Sequence, residues 1–247
     1  MINSYFMNEI QKKRIEVLTT FCGYGNPETA KIFFMGIEEH HTLDSHGSDS
    51  LDKLVENLII IGNRDRKDWT YLDSSGSATG KTERTQVNVH KALIGGSLTE
   101  EEIFQSEIHC FNFYPLGANT IKQYPSHYNE YFGFETKSDL YKYFDNESRR
   151  KEILKSFINE KIINKGKMLF VFGKACWEKV ENHLLAPDLR CKNPFDGWSN
   201  KKSKKPSGIK WSDNKQIWLT GHPSYGWINN EVIEKIADIR RGVTNLV

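Results

Sequence analysis

The sequence predicts an α/β protein, a three-layer α/β/α domain around a central, mainly parallel sheet of four strands. Three observations carry that expectation. Four apolar runs of strand length recur along the chain, KIFFM at 31–35, EIHCF at 107–111, MLFVF at 168–172 and IWL at 217–219. A Gly or Asn stands at or just beyond the end of each, at Gly36, Asn112, Gly173 and Gly221. Segments with helical spacing lie between them. Unbroken apolar strands are buried on both faces, as in a parallel sheet covered by helices, and alternation of strand with helix builds layers.

Taken in order, the strand at 31–35 is followed by a stripe of Leu51, Leu54, Val55, Leu58 and Ile59, which repeats at helical intervals. After the second and before the third strand comes a stripe of Ile153, Leu154, Phe157, Ile158 and Ile162. The last stripe, Val232, Ile233, Ile236 and Ile239, follows the fourth strand and opens at Asn229 or Asn230, side chains suited to capping. Residues 63–82 and 190–214 are long, polar and rich in Gly and Ser, and are read as loops because apolar strand material resumes after each. Ligands of open α/β sheets bind beyond the carboxyl ends of the strands, which places Glu38, Asn112, Lys174 and His222 along one rim.

Bulk composition narrows the function classes. A chain of 247 residues with 38% hydrophobic and 27% charged residues can bury one core, so residues 1–247 are read as a single domain. Net charge is only +2, so an anionic partner must be met by a local patch. Lys201, Lys202, Lys204, Lys205 and Lys210 form such a patch, flanked by Trp198 and Trp211. Lysine runs are most often solvated loops; the tryptophans point towards nucleic acid. The amino terminus scatters its apolar residues among charges, reading as neither signal peptide nor membrane span, and a cytoplasmic location is expected. Cys22, Cys110, Cys176 and Cys191 contain no CxxC pair, which argues against a zinc ribbon and a disulfide framework.

Four constellations could carry chemistry. GSATGKT at 76–82 resembles a phosphate-cradling loop, but Ser75 stands where the first glycine is required, and a flexible loop is the better reading. GIEEHH at 36–41 packs two carboxylates and two imidazoles behind the first strand. Consecutive loop residues rarely converge on one ion, so no metal is expected; a carboxylate fixed there can instead hold a water for attack on an electrophilic carbon. CFNFYPLGANT at 110–120 puts an amide, Asn112, at a strand end, with donor and acceptor side by side as the edge of a nucleobase requires. Phe113 and Tyr114 behind it are either core or a stacking face. TGHPSYGW at 220–227 follows the fourth strand with a histidine, a turn and two aromatic residues.

In this order the rim segments resemble the uracil-DNA glycosylase superfamily. GIEEHH is similar to its first motif, CFN to the strand ending in the base-reading asparagine, LFVFGKAC at 169–176 to its third-strand element, and HPS at 222–224 to its second hallmark motif. The resemblance implies a uracil-DNA glycosylase-like fold and a monofunctional DNA glycosylase that flips a damaged or modified base and hydrolyses its N-glycosidic bond. The base removed would be uracil or, from the long loops around the motifs and the departures from the uracil pattern, a bulky modified cytosine of phage DNA in a setting of antiviral defence; the alternative is a non-catalytic DNA-binding relative. Glu38 would position water, with Asn112 and His222 stabilising the departing base. Gly36, Ile37, Glu39, His41 and Phe113 would line the base pocket, with Trp69 or Tyr71 nominated to stack on the base. Ser224, Lys174, Lys201, Lys202, Lys204 and Lys205 would meet single- or double-stranded DNA, with Tyr225 or Trp227 as the wedge. No cofactor, no membrane and a monomer are expected. The sequence departs from the family pattern at Glu39, where proline is usual, and at Gly226, in the place of the wedge leucine.

Overall fold

A computed structural model of the chain describes residues 7–37, 76–78, 80–115, 127–191, 193–194, 209–221, 228 and 230–242. The protein is α/β, with a six-stranded, mostly parallel sheet in the order β2-β1-β3-β6-β5-β4. The strands are β1 (Ile32–Gly36), β2 (Ile108–Asn112), β3 (Met168–Phe172), β4 (Asn193–Pro194), β5 (Lys210–Trp211) and β6 (Ile217–Thr220). β2, β1, β3 and β6 are mutually parallel, while β5 is antiparallel to both β6 and β4. The four expected strands are therefore present, and the expectation of a four-stranded sheet is corrected by the two short strands added beyond β6. Both lie in 190–214, read from sequence as loop. Two-residue strands are set by the neighbour they pair with, and their own composition carries no alternation to read.

Seven helices of six residues or more pack around the sheet among the described residues: α1 (Glu9–Thr20), α2 (Lys81–Leu93), α3 (His127–Phe132), α4 (Lys137–Asn146), α5 (Arg150–Lys161), α6 (Lys174–His183) and α7 (Asn230–Arg241). Strand side chains alternate between two apolar clusters, one on each face. Phe33, Met35, Phe111, Leu169, Val171, Ile217 and Leu219 join residues of α1, α4, α5 and α6. Ile32, Phe34, Ile108, Met168, Phe170, Phe172 and Trp218 join Val87 and Val89 of α2 and Ile233 and Ile236 of α7. Burial on both faces is why the runs were apolar throughout. The stripe in α5 buries Leu154 and Ile158, and that in α7 buries Val232, Ile233, Ile236 and Ile239. The stripe from Leu51 to Ile59 lies outside the described residues.

Lys81 and Thr82, assigned to a loop from sequence, open α2. That helix buries Thr85, Gln86 and His90 beside its two valines, so its inward face is too polar to show an apolar period. No helix among the described residues is long and apolar enough to cross a membrane.

Candidate functional site

Parallel pairing fixes where the strand ends fall. Gly36 is in register with Asn112, Met35 with Val171, and Phe172 with Thr220, so the carboxyl ends of β1, β2, β3 and β6 form one edge. The pairing of the first two continues past the strands, because Phe113 N–H donates to the Gly36 carbonyl at 2.9 Å and Tyr114 N–H to that of Ile37 at 2.9 Å. Gly36, Ile37 and Asn112 are thus brought together. Ile37 is partly buried against the core. The Asn112 side chain is half-buried and its amide makes no hydrogen bond among the described residues.

Lys174 begins α6 on the same edge, directly after Gly173, whose φ of 81° suits the tight strand-to-helix turn. Its side chain is 55% exposed and pairs loosely with Glu178 at 3.7 Å. One further helix, α7, begins after β6 ends at this edge. The carboxyl end of α2 lies at the opposite edge, where His90 meets Glu107 just before β2. That of α7 lies there too, since Lys215, just before β6, donates to the Ile239 carbonyl at 2.7 Å. Each helix amino terminus carries about +0.5 charge from its unpaired N–H groups, which biases the edge towards anions.

The hairpin of β4 and β5 extends the same geometry. Pro194 pairs with Lys210 and Lys210 with Leu219, so the segment between β4 and β5 leaves and re-enters the sheet at the carboxyl edge of β6. Trp211, a flank of the lysine patch in the sequence, is part of the sheet: it stacks on Trp218 at 6.1 Å and packs, half-buried, against the core. Lys210 lies over the Trp177 ring at 3.9 Å.

Phe113 is fully buried, against Tyr114 at 5.0 Å and His183 at 6.5 Å, with the Lys179 ammonium 5.8 Å from its ring. Its packing is that of a core side chain. Tyr114 stacks on Tyr141 at 3.9 Å and donates to Asp145 at 3.0 Å, and Lys179 holds the same carboxylate oxygen at 2.5 Å. Glu38, Glu39, His41, Trp69, Tyr71, Lys201, Lys202, Lys204, Lys205, His222, Ser224, Tyr225 and Trp227 lie outside the described residues.

Sequence reasoning missed Arg150. It is completely buried, and every hydrogen bond of its guanidinium runs to a main-chain carbonyl: Asn112 at 2.7 Å, Phe113 at 3.1 Å, Thr19 at 3.2 Å, Leu18 at 3.4 Å, and Phe21. Loss of hydration lowers its pKa to about 10, so it stays a cation at neutral pH; the sulfur of Cys22 favours that charge. An arginine followed by lysine and glutamate at a helix start reads as solvated, and no local signal marks it as buried.

The phosphate-loop reading of 76–82 meets a physical obstacle. Glu83 folds back so closely over Gly80 that a Cβ there would lie 1.8 Å from its carboxylate, and Ala78 N–H donates to the Glu100 carboxylate at 2.7 Å. Carboxylates occupy the places a phosphate would need. Cys176 and Cys191 are buried free thiols, and burial raises them well above their usual range. Among the described residues no group of three or more His, Cys, Asp and Glu is placed to hold a metal. No model of a known protein family matches the chain, and no curated protein is significantly similar to it.

Proposed function

We propose that the protein is a monomeric, cytoplasmic DNA glycosylase with a three-layer, uracil-DNA glycosylase-like fold, which extrudes one base and hydrolyses its N-glycosidic bond. The observation that carries this reading is the register of the sheet. Asn112 ends β2 level with Gly36, and Glu38 follows Ile37 by one peptide bond; His222 follows Gly221 at the end of β6 in the same way. Consecutive Cα atoms lie about 3.8 Å apart, and this nearness in the chain to described residues of the edge supports reading acid, amide and imidazole as one site. The amino ends of α6 and α7 and exposed Lys174 supply positive character at that edge, and the strand ends that flank the lysine segment lie there too, as a polyanion requires.

Extrusion costs about a few kcal/mol, and contacts to phosphate and to the vacated stack offset it. As the bond between the sugar carbon and the base nitrogen breaks, the electron pair leaves with the base, and donors from Asn112 and His222 stabilise that charge, an effect worth ~3 kcal/mol per donor. Glu38 orients a water, accepts its proton and as an anion favours the oxocarbenium-like centre, while the water oxygen bonds to the sugar carbon. An abasic site results.

The test is a panel of single- and double-stranded DNAs carrying uracil, mismatches or bulky modified cytosines, scored for alkali-labile breaks. Base release from at least one substrate is expected, with Glu38→Gln slowing single-turnover release by about 10²-fold or more while DNA binding is retained. Cleavage by Glu38→Gln at the wild-type rate refutes its assignment. Binding without breaks on any substrate supports the non-catalytic DNA-binding alternative.

A further inference from the structure

We infer that Arg150 is a positioning residue, which sets the Asn112 amide by fastening the end of β2 to the carboxyl end of α1. β2 is an edge strand of the sheet, and its outward main-chain groups need partners. Cys110 finds them in Tyr24, through N–H···O bonds of 2.9 and 2.7 Å. In a parallel strand the groups of alternate residues point the same way, so the next outward carbonyl is that of Asn112, and Arg150 takes it at 2.7 Å. The same guanidinium takes the Phe113 carbonyl and those of Leu18, Thr19 and Phe21, where α1 ends with no basic residue in its last turn. Nε and Nη2 take the Phe113 and Asn112 carbonyls, while the two N–H groups of Nη1 are shared among the three carbonyls at the end of α1, all from one rigid plane. Neither Asn112 nor Phe113 can then rotate its peptide without breaking a buried, charge-assisted bond, and the peptide direction fixes where the Asn112 side chain starts. Lysine offers three donors on a flexible stem and cannot hold both ends. The fully buried Arg150 therefore does more than cap a helix.

The role as stated rests on the glycosylase reading, and two measurements separate the claims. Single-turnover base release and DNA binding are followed for the full chain on duplexes carrying one uracil or one glucosylated 5-hydroxymethylcytosine, with wild type, Arg150→Lys, Arg150→Gln, Asn112→Ala and the double variants. A folded Arg150 variant is expected to lose about 10²-fold in release with binding held within about threefold, as small misplacements do. Combined with Asn112→Ala it should be no slower than Asn112→Ala alone, because both remove the same amide from its place. Wild-type release by Arg150→Lys, or losses that multiply in the double variants, overturns the inference. Hydrogen exchange supplies the second measurement. The Phe113 and Tyr114 amides, which bond Gly36 and Ile37, should lose at least about tenfold protection in the variant while Val171 and Leu219 are unchanged. Protection unchanged at Phe113 and Tyr114 overturns the inference whether or not any base is released. Absence of release from wild type on every DNA of the panel used to test the proposed function, with the exchange pattern as expected, refutes the glycosylase reading alone. If neither variant folds, Arg150 serves the whole fold rather than the site, and the inference fails.

Discussion

Two buried histidines answer the loss of water in different ways. His109 on β2 turns its Nδ1 to the Gly25 carbonyl at 3.0 Å and its Nε2 to that of Cys22 at 2.7 Å, inside rings of Phe33, Phe111 and Phe157. His90 on α2 faces Glu107 at 3.2 Å, and Lys31 holds the same carboxylate oxygen at 2.8 Å. Burial lowers the His90 pKa, opposed by its bond to Glu107, and His183 is lowered in the same way. Burial alone would raise the Glu107 pKa; hydrogen bonds from Lys31 and His90 outweigh it and hold the carboxyl below its ordinary value. The sign for His90 follows from linkage: below about pH 6.5 the unfolded chain binds the proton more readily than the folded one, so stability falls as pH drops through that value. Thermal unfolding should therefore shift down between pH 7 and the acid side of 6.5, and His90→Gln should shallow that slope, leaving the share of His183. An unchanged slope in the variant would show that His90 titrates alike in both states. None of these partners was legible in the sequence, because each is a contact between residues distant along the chain.

At the scale of elements, the strands were legible and their extension was not. Phe34, Phe170, Trp218 and Trp211 stand in register across β1, β3, β6 and β5, with ring centroids 5.6, 6.0 and 6.1 Å apart. The first three sit in apolar runs that announce strands; Trp211 sits among lysines and announced a surface. Cross-strand aromatic pairs of this kind join sheet formation to core packing. Trp218 is fully buried within that row, and Trp218→Ala should cost about 3–5 kcal/mol in urea unfolding. Trp211→Ala, at a half-buried position on a two-residue strand, should cost less. Equal losses would mean that β5 carries as much of the core as β6 does.

For the whole molecule, the ordering of four strand ends was readable from Gly and Asn punctuation, and the parallel register turns that order into an edge. Asn112 and Lys174 fall there as expected, whereas Arg150, which fastens that edge from beneath, required the fold to be seen. Direction is the part that sequence alone withheld. A lysine run between two strands could emerge at either edge; because β4 runs parallel to β6 and β5 against it, Pro194 and Lys210 place its exit beside Thr220 and Gly221. With a net charge of only +2, the molecule attracts a polyanion through such local charge or not at all. Each lysine meeting a phosphate of duplex DNA releases about 0.9 counterion, so log affinity falls with log salt in proportion to the contacts made. Replacing Lys201, Lys202, Lys204 and Lys205 by alanine should reduce that slope by about 3–4 and weaken binding to all sequences alike. A slope unchanged in the fourfold variant would place the segment away from the phosphates, and DNA would then have to be held by the helix amino ends and Lys174.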